Sequence, residues 1–263
     1  MIRAITIVIV LLSVCQSGRA QDRPFNPGEQ LTYSVFYYLM GVWVGAGEVS
    51  FSVGEDTFME KPCLKFTGKG QTHKRYDWFY KVRDTYEAYA NEESLAPLRF
   101  KRDVSEGDFY FYEDCIFDWK NDQVFSVLQV KERPLRLDTT SLSEGTYDVL
   151  SMIYHARMID YSKHEPGDKI PINMFIDREI HNLFIRYQGV EVYDHEVFGE
   201  IECYVFSPLL VGGTLFKPGE RMNVYVTKDR NLIPIYIESE IRVGSIRATL
   251  KSTKGLVEPL VSR

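Results

Sequence analysis

Gln30-Leu31-Thr32-Tyr33-Ser34-Val35-Phe36-Tyr37-Tyr38-Leu39 is the stretch whose reading decides the fold. Leu31, Tyr33, Val35, Tyr37 and Leu39 recur at every second position, so they share one face of a β-strand. Gly41, Gly45 and Gly47 then mark a turn or bulge. Val49, Phe51 and Val53 resume the alternation. Leu64 and Phe66, followed by glycines, make a third strand. From Asp108 to Trp119, Phe109, Phe111, Cys115 and Phe117 face one way, with Tyr110, Tyr112 and Asp114 opposite. Asp118 to Asp122 is turn-like, and Val124 to Val130 returns.

The C-terminal third repeats the pattern. Met222, Val224 and Val226 alternate with polar neighbours, and Lys228 to Asn231 turns. Ile233, Ile235 and Ile237 come back, Val243-Gly244-Ser245 turns again, and Ile246, Ala248 and Leu250 form a last strand. Turn signals about every ten residues predict about a dozen antiparallel strands in a barrel or curved two-sheet sandwich. One segment breaks the rule. Val149, Met152, Ile153, Ala156 and Ile159 have helical spacing within Tyr147–Ile159, where Thr146 or Asp148 can cap the first turn. Residues 131–145 before this principal helix read as a polar connection, and His73 to Phe79 allows a short helical turn.

Composition agrees with an all-β chain. Sixteen Phe, 17 Tyr and three Trp among 263 residues favour strands. Hydrophobic residues make up 44%, which excludes a disordered chain. The first twenty residues read as a secretory signal peptide: a basic start, an apolar run from Ala4 to Val14, and small residues at Gly18 and Ala20. The run is too short to span a membrane, which takes about 20 residues. Cleavage before Gln21 is expected, with export to the periplasm, and lipid anchoring at Cys15 is the alternative. Loss of Arg3 and Arg19 from 31 basic residues, against 37 acidic ones, leaves a net charge of −8. An acidic balance argues against nucleic-acid binding. Residues 21–263 read as a single β-rich domain.

Cys63, Cys115 and Cys203 lie far apart and lack metal-type spacing, so buried small hydrophobes are favoured over a disulfide. The histidines form no metal motif, and no cofactor is expected. His155 reads as a solvated or core-satisfied helix residue. There is no nucleophile elbow. Glu113, Asp114 and Asp118 on an aromatic strand, with Asp84 beside Arg83, are the acids a glycan-cleaving pair would need. Tyr76-Asp77-Trp78-Phe79-Tyr80-Lys81-Val82-Arg83-Asp84 packs four aromatics among charges of both signs. Aromatics with polar tips suit either a barrel core or the mouth of a binding site. The candidate ligand-binding residues are Trp43, Tyr76, Trp78, Tyr80, Arg83, Asp84, Phe109 and Phe111.

Phe25-Asn26-Pro27-Gly28-Glu29-Gln30-Leu31 is echoed by Phe216-Lys217-Pro218-Gly219-Glu220-Arg221-Met222, and more weakly by Glu165-Pro166-Gly167-Asp168. Pro-Gly favours a type II turn that can launch a strand. The echo means either three independent strand starters or two related halves, about 21–135 and 160–263, around a helix at 147–159. The motif at 25–33, Gly45-Ala46-Gly47-Glu48, Tyr80 to Asp84, Tyr147 to Ser151 with Tyr154 and Arg157, and Asp229 to Pro234 together resemble the domain-of-unknown-function 3108 family of exported bacterial proteins. The resemblance spans nearly the whole chain beyond residue 20. It implies a periplasmic β-rich protein with no assigned activity, and supplies no catalytic residues. The expected function is non-enzymatic: binding or assembly in the cell envelope, with a lipid, a glycan or an envelope protein as partner. An envelope polysaccharide hydrolase with paired carboxylates and a structural protein-interaction module are the alternatives.

Overall fold

The structure is a computed structural model that describes residues 23–210, 219, 222–241 and 244–260. The first twenty residues, read above as a signal peptide, and most of the second Pro-Gly echo therefore lie outside the described residues.

Fifteen strands form one sheet. They are β1 (Gln30–Leu39), β2 (Val42–Phe58), β3 (Lys61–Thr72), β4 (Val82–Ala90), β5 (Pro97–Glu106), β6 (Phe109–Asp118), β7 (Gln123–Val130) and β8 (Arg136–Ser141), followed by β9 (Thr146–Tyr147). After α1 (Val149–Ala156), the one α-helix among the described residues, come β10 (Lys169–Ile176), β11 (Glu179–His195), β12 (Gly199–Pro208), β13 (Met222–Thr227), β14 (Pro234–Glu240) and β15 (Ser245–Lys254). The order runs β8 to β1, then β15 to β9, so β1 pairs with β15 and joins the two ends of the chain. Every pairing is antiparallel except the short β9–β10 contact.

The alternation is kept as burial in the first half of β1. Leu31 and Tyr33 are buried and pair with Phe51 and Val49 of β2. The glycines after it have a purpose: the register shifts opposite Val35 and Phe36, leaving Ala46 unpaired in a bulge. A Cβ on Gly47 would lie 2.1 Å from the Gln71 carbonyl oxygen, so only glycine fits this close pairing.

The expected polar connection at 131–145 is corrected, because it contains β8. This strand has one large apolar residue, Leu137, and is held by ladder bonds to β7 rather than by burial. Fifteen strands exceed the dozen expected, since β4, β5 and β10 to β12 add to those read from alternation. The helix begins as expected. Asp148 caps it, accepting from the Leu150 and Ser151 N–H groups at 2.8 and 3.0 Å and from the Ser151 hydroxyl at 2.6 Å. Burial pushes the Asp148 carboxyl up to about 6. The short turn is a 3-10 turn at Lys74–Tyr76.

The helix packs against β3, β4, β9 and β10. Leu150 and Tyr154 join Phe25, Phe66, Phe100 and Phe175 in one buried cluster, and Met152, Ala156 and Ile159 pack on a second with Ile170, Tyr187 and Phe206. Gly68 of β3 lets α1 approach, since a Cβ there would stand 3.3 Å from Leu150. A third cluster gathers Leu31, Tyr33, Cys203, Ile235 and Leu250. All three cysteines of the described region are buried free thiols. Burial raises the Cys115 and Cys203 thiols to about 12.

Side chains bring the outer parts of the sheet together. The Thr140 hydroxyl of β8 donates to the Arg178 carbonyl at 3.0 Å, and Arg178 reaches Asp138 at 3.5 Å. Arg102 on β5 bonds buried Glu113 at 2.5 Å and Asp177 at 2.8 Å, in the β10–β11 turn. The result is barrel-like closure without a continuous backbone ladder.

Gly28 and Gly167 share one turn geometry. Their φ values are 98° and 103°. Each donates to a carbonyl on the second strand that follows, Gly28 to Val53 at 2.8 Å and Gly167 to Tyr187 at 2.7 Å. Val53 and Tyr187 donate back to Glu29 and Asp168, both at 3.0 Å. The weaker sequence echo thus matches the first motif in turn geometry and in its bonding. In both cases the second strand, β2 or β11, is 17 residues long.

Candidate binding rim

Antiparallel strands alternate direction, so alternate turns gather at the same end of the barrel. At one end, the base, meet the N-terminal segment, the β13–β14 turn and the C-terminal end of α1. There Arg157 is 4% exposed and Glu29 is fully buried. The guanidinium donates to both Glu29 oxygens at 2.6 and 2.8 Å, to the Pro24 carbonyl at 2.9 Å, and to the Asn231 carbonyl at 2.9 and 3.2 Å. Phe25 and Tyr154 cover it, with ring centroids 5.2 and 5.4 Å from its central carbon. Burial opposes the Arg157 charge, but Glu29 outweighs it and holds the guanidinium more firmly protonated than usual. Asn231 is fixed in turn by Asp229 and by both backbone groups of Glu258. Three of the sequence motifs quoted above therefore converge on one structural knot. Sequence reasoning did not pair Glu29 with Arg157, which are 128 positions apart.

The other end is the rim. The turns between β1 and β2, β3 and β4, β5 and β6, and β7 and β8 all lie there. Neighbouring rim segments are bonded to one another: Gly107 donates to the Lys81 carbonyl at 2.8 Å, Lys131 to the Tyr110 carbonyl at 2.8 Å, and Arg75 to the Gly45 carbonyl at 3.3 Å. Tyr80 lies over Gly107, where a Cβ would come within 3.1 Å of its ring. Among the described residues, ten of the fifteen exposed large hydrophobics lie on these rim turns or the strand ends beside them. Met40 is 94% exposed, Trp78 85%, Phe79 79% and Leu137 81%. An open groove of about 820 Å³, lined by Asp108, Tyr110, Lys131, Glu132, Arg133 and Pro134, runs alongside.

All eight candidate residues fall at the rim, but they do not converge on one point. Trp43 lies on the outer wall, beside Tyr38 and under Arg247, whose central carbon is 4.4 Å from its ring. Tyr76 lies beneath Arg75 at 4.9 Å. Arg83 is locked to Asp77 at 2.7 Å and to the Thr72 carbonyl and hydroxyl, both at 3.3 Å. Trp78 and Tyr80 stand on the β3–β4 turn. By strand register, Asp84, Phe109 and Phe111 share the inward face of Phe100 and Cys115. The core reading of 76–80 is corrected: no residue of this stretch is buried, and Trp78 and Phe79 point into solvent because nothing packs above the turn.

Among the acids, Glu113 is bonded to Arg102, Asp114 to Arg99 at 2.8 and 2.5 Å, and Asp118 caps a turn by accepting from Lys120 and Asn121. Asp84 is the exception. Burial pushes its carboxyl up to about 6; the Ser105 N–H, at 3.0 Å, opposes this, while Glu106 and Asp103 add to it. His195 is a satisfied core residue, its Nδ1 accepting from the Val197 and Phe198 N–H groups. His155 stacks on Tyr147 at 4.2 Å. Among the described residues no cluster of three or more His, Cys, Asp or Glu could hold a metal, and no helix is long and apolar enough to cross a membrane.

These features define a β-barrel-like protein, tied at its base by a buried ion pair and carrying most of its exposed large hydrophobics at the rim. The chain belongs to the family described as "Protein of unknown function (DUF3108)", which matches residues 32–251. A crystal structure from Brucella abortus, described as a beta-barrel-like protein of domain of unknown function DUF1849, is similar in fold. It superposes with a TM-score of 0.53 at 9% identity, covering 89% of this chain and 99% of that one. No curated protein matches the chain.

Proposed function

We propose that this is a non-enzymatic, exported binding protein of the cell envelope that captures an apolar, lipid-like or glycan ligand at the barrel rim. The observation that carries the reading is the asymmetry of the two ends. The base buries its polar groups in a closed network, whereas the rim leaves Met40, Trp78, Phe79 and Leu137 in water. Exposed apolar surface concentrated in one region is the usual mark of an interaction site. Buried side chains occupy the base and middle of the barrel, so the reading puts the ligand at the rim rather than in a sealed central cavity. Export to the periplasm follows from the first twenty residues, with a lipid anchor at Cys15 as the alternative.

The hydrolase reading needs two facing carboxyl groups about 5–9 Å apart. Glu113 and Asp114 are tied to arginines, which leaves Asp84 as the acid with the right chemistry and no identified partner role for a second. The test is mass spectrometry of molecules that co-purify with protein from its native periplasm, with binding of an uncharged naphthylamine probe measured alongside. A bound lipid or glycan, and probe binding weakened by Phe109→Ala and Trp78→Ala, are expected. No co-purifying ligand together with no probe binding would reject the reading.

A further inference from the structure

The rim carries charge as well as apolar surface. Lys74, Arg75, Lys81, Lys131, Arg133 and Arg136 are exposed on its turns or strand ends, and none forms an ion pair among the described residues. On the same turns only Asp108 and Glu132 are exposed acids. These four turns are therefore net basic on a chain whose formal charge is −6. The basic residues also flank the apolar tips in sequence: Lys74-Arg75 precedes Trp78-Phe79 and Lys81 follows, while Arg133 and Arg136 bracket Leu135. Aromatic and aliphatic tips ringed by Lys and Arg are the chemistry of attachment to a membrane interface. The rings sit at headgroup level and the cations meet anionic lipid.

We propose that the rim docks the barrel on an anionic lipid bilayer, with Met40, Trp78, Phe79 and Leu135 entering the boundary between headgroups and acyl chains. The inference deepens the binding reading and rests on the rim being the binding surface. It also says how a lipid-like ligand reaches the site: the rim meets the bilayer that holds it. Charge selects the occupant. A second copy of the rim would bring two basic surfaces together, and an uncharged surface would leave the cations without partners. Each cation near an anionic surface strengthens binding about fivefold, and each large apolar side chain that leaves water adds about tenfold or more.

The experiment is flotation of the purified protein, its N-terminus defined by mass spectrometry, with phosphatidylglycerol-containing vesicles and with pure phosphatidylcholine vesicles. Binding to the anionic vesicles, a blue shift in Trp emission and release at high salt are expected. Lys74→Gln/Arg75→Gln/Lys81→Gln should weaken that binding about 100-fold. Trp78→Ala/Phe79→Ala should weaken it by about 100-fold or more, with the melting temperature unchanged because both side chains are exposed. Failure to float with anionic vesicles, or flotation that both variants leave intact, would overturn the proposal. Probe or co-purified ligand retained without flotation would remove the docking alone, whereas loss of both would remove the binding reading too. Self-association abolished by Trp78→Ala/Phe79→Ala, in protein that ignores vesicles, would assign the rim to a second copy instead.

Discussion

Glu29→Gln is the sharpest test of what holds the base together. The substitution keeps the size of the side chain and one carbonyl oxygen, but removes the carboxylate that accepts from both Arg157 nitrogens. The guanidinium stays buried, with only the Pro24 and Asn231 carbonyls left as strong acceptors. Removing one partner of a buried ion pair typically costs about 3–5 kcal/mol. Retained amide bonding puts Glu29→Gln near the lower limit, about 3 kcal/mol. For a chain of this size that is a fall in melting temperature of about 6–12 °C. Arg157→Met alone leaves a buried carboxylate and should cost a similar amount. The double variant leaves no unpaired charge, so it should be more stable than the sum of the single losses implies. Thermal and urea unfolding of the four proteins at pH 7 measure this coupling. A Glu29→Gln loss below about 1 kcal/mol, or strict additivity in the cycle, would refute the reasoning.

Two further outcomes follow from the geometry. The Asp84 carboxyl, raised to about 6 by burial, holds its proton more tightly in the folded than in the unfolded chain. Its contribution is therefore present below the ordinary carboxylate range and lost as pH rises through about 6. Asp84→Asn should flatten that decline in urea unfolding between pH 4 and 7; parallel curves for the two proteins would contradict it. Gly47→Ala drives a Cβ to 2.1 Å from the Gln71 carbonyl and should cost about 3 kcal/mol or more. Gly45→Ala, whose Cβ would meet nothing closer than 3.8 Å, should stay within about 0.5 kcal/mol. Equal losses at the two glycines in chemical denaturation would show the clash to be unimportant.

Local chemistry made part of this legible from sequence alone. Alternation at 30–39 and 108–119 determined which side chains share a face, because strand side chains point to opposite sides by turns. Asp148 marked the helix start because a short side-chain oxygen can take the free N–H groups of a first turn. The aromatic cluster at 76–80 marked one end of the barrel as unusual. Each signal is carried by neighbours in the chain.

What lies between distant segments was left to the tertiary structure. β8 has a single large apolar residue, so its strand character comes from ladder bonds to β7 and not from a periodic pattern. Phe25 and Trp78 are both aromatic, yet one is buried and the other exposed, because α1 packs over the first and nothing packs over the second. Glu29 and Arg157 read as two unrelated charges until β1 and α1 bring them to 2.6 Å. Composition and periodicity set the β class and the faces of the strands they marked; the closure of the sheet decided which charges are buried as partners and which aromatics remain in water, since burial depends on what the rest of the chain places above a residue.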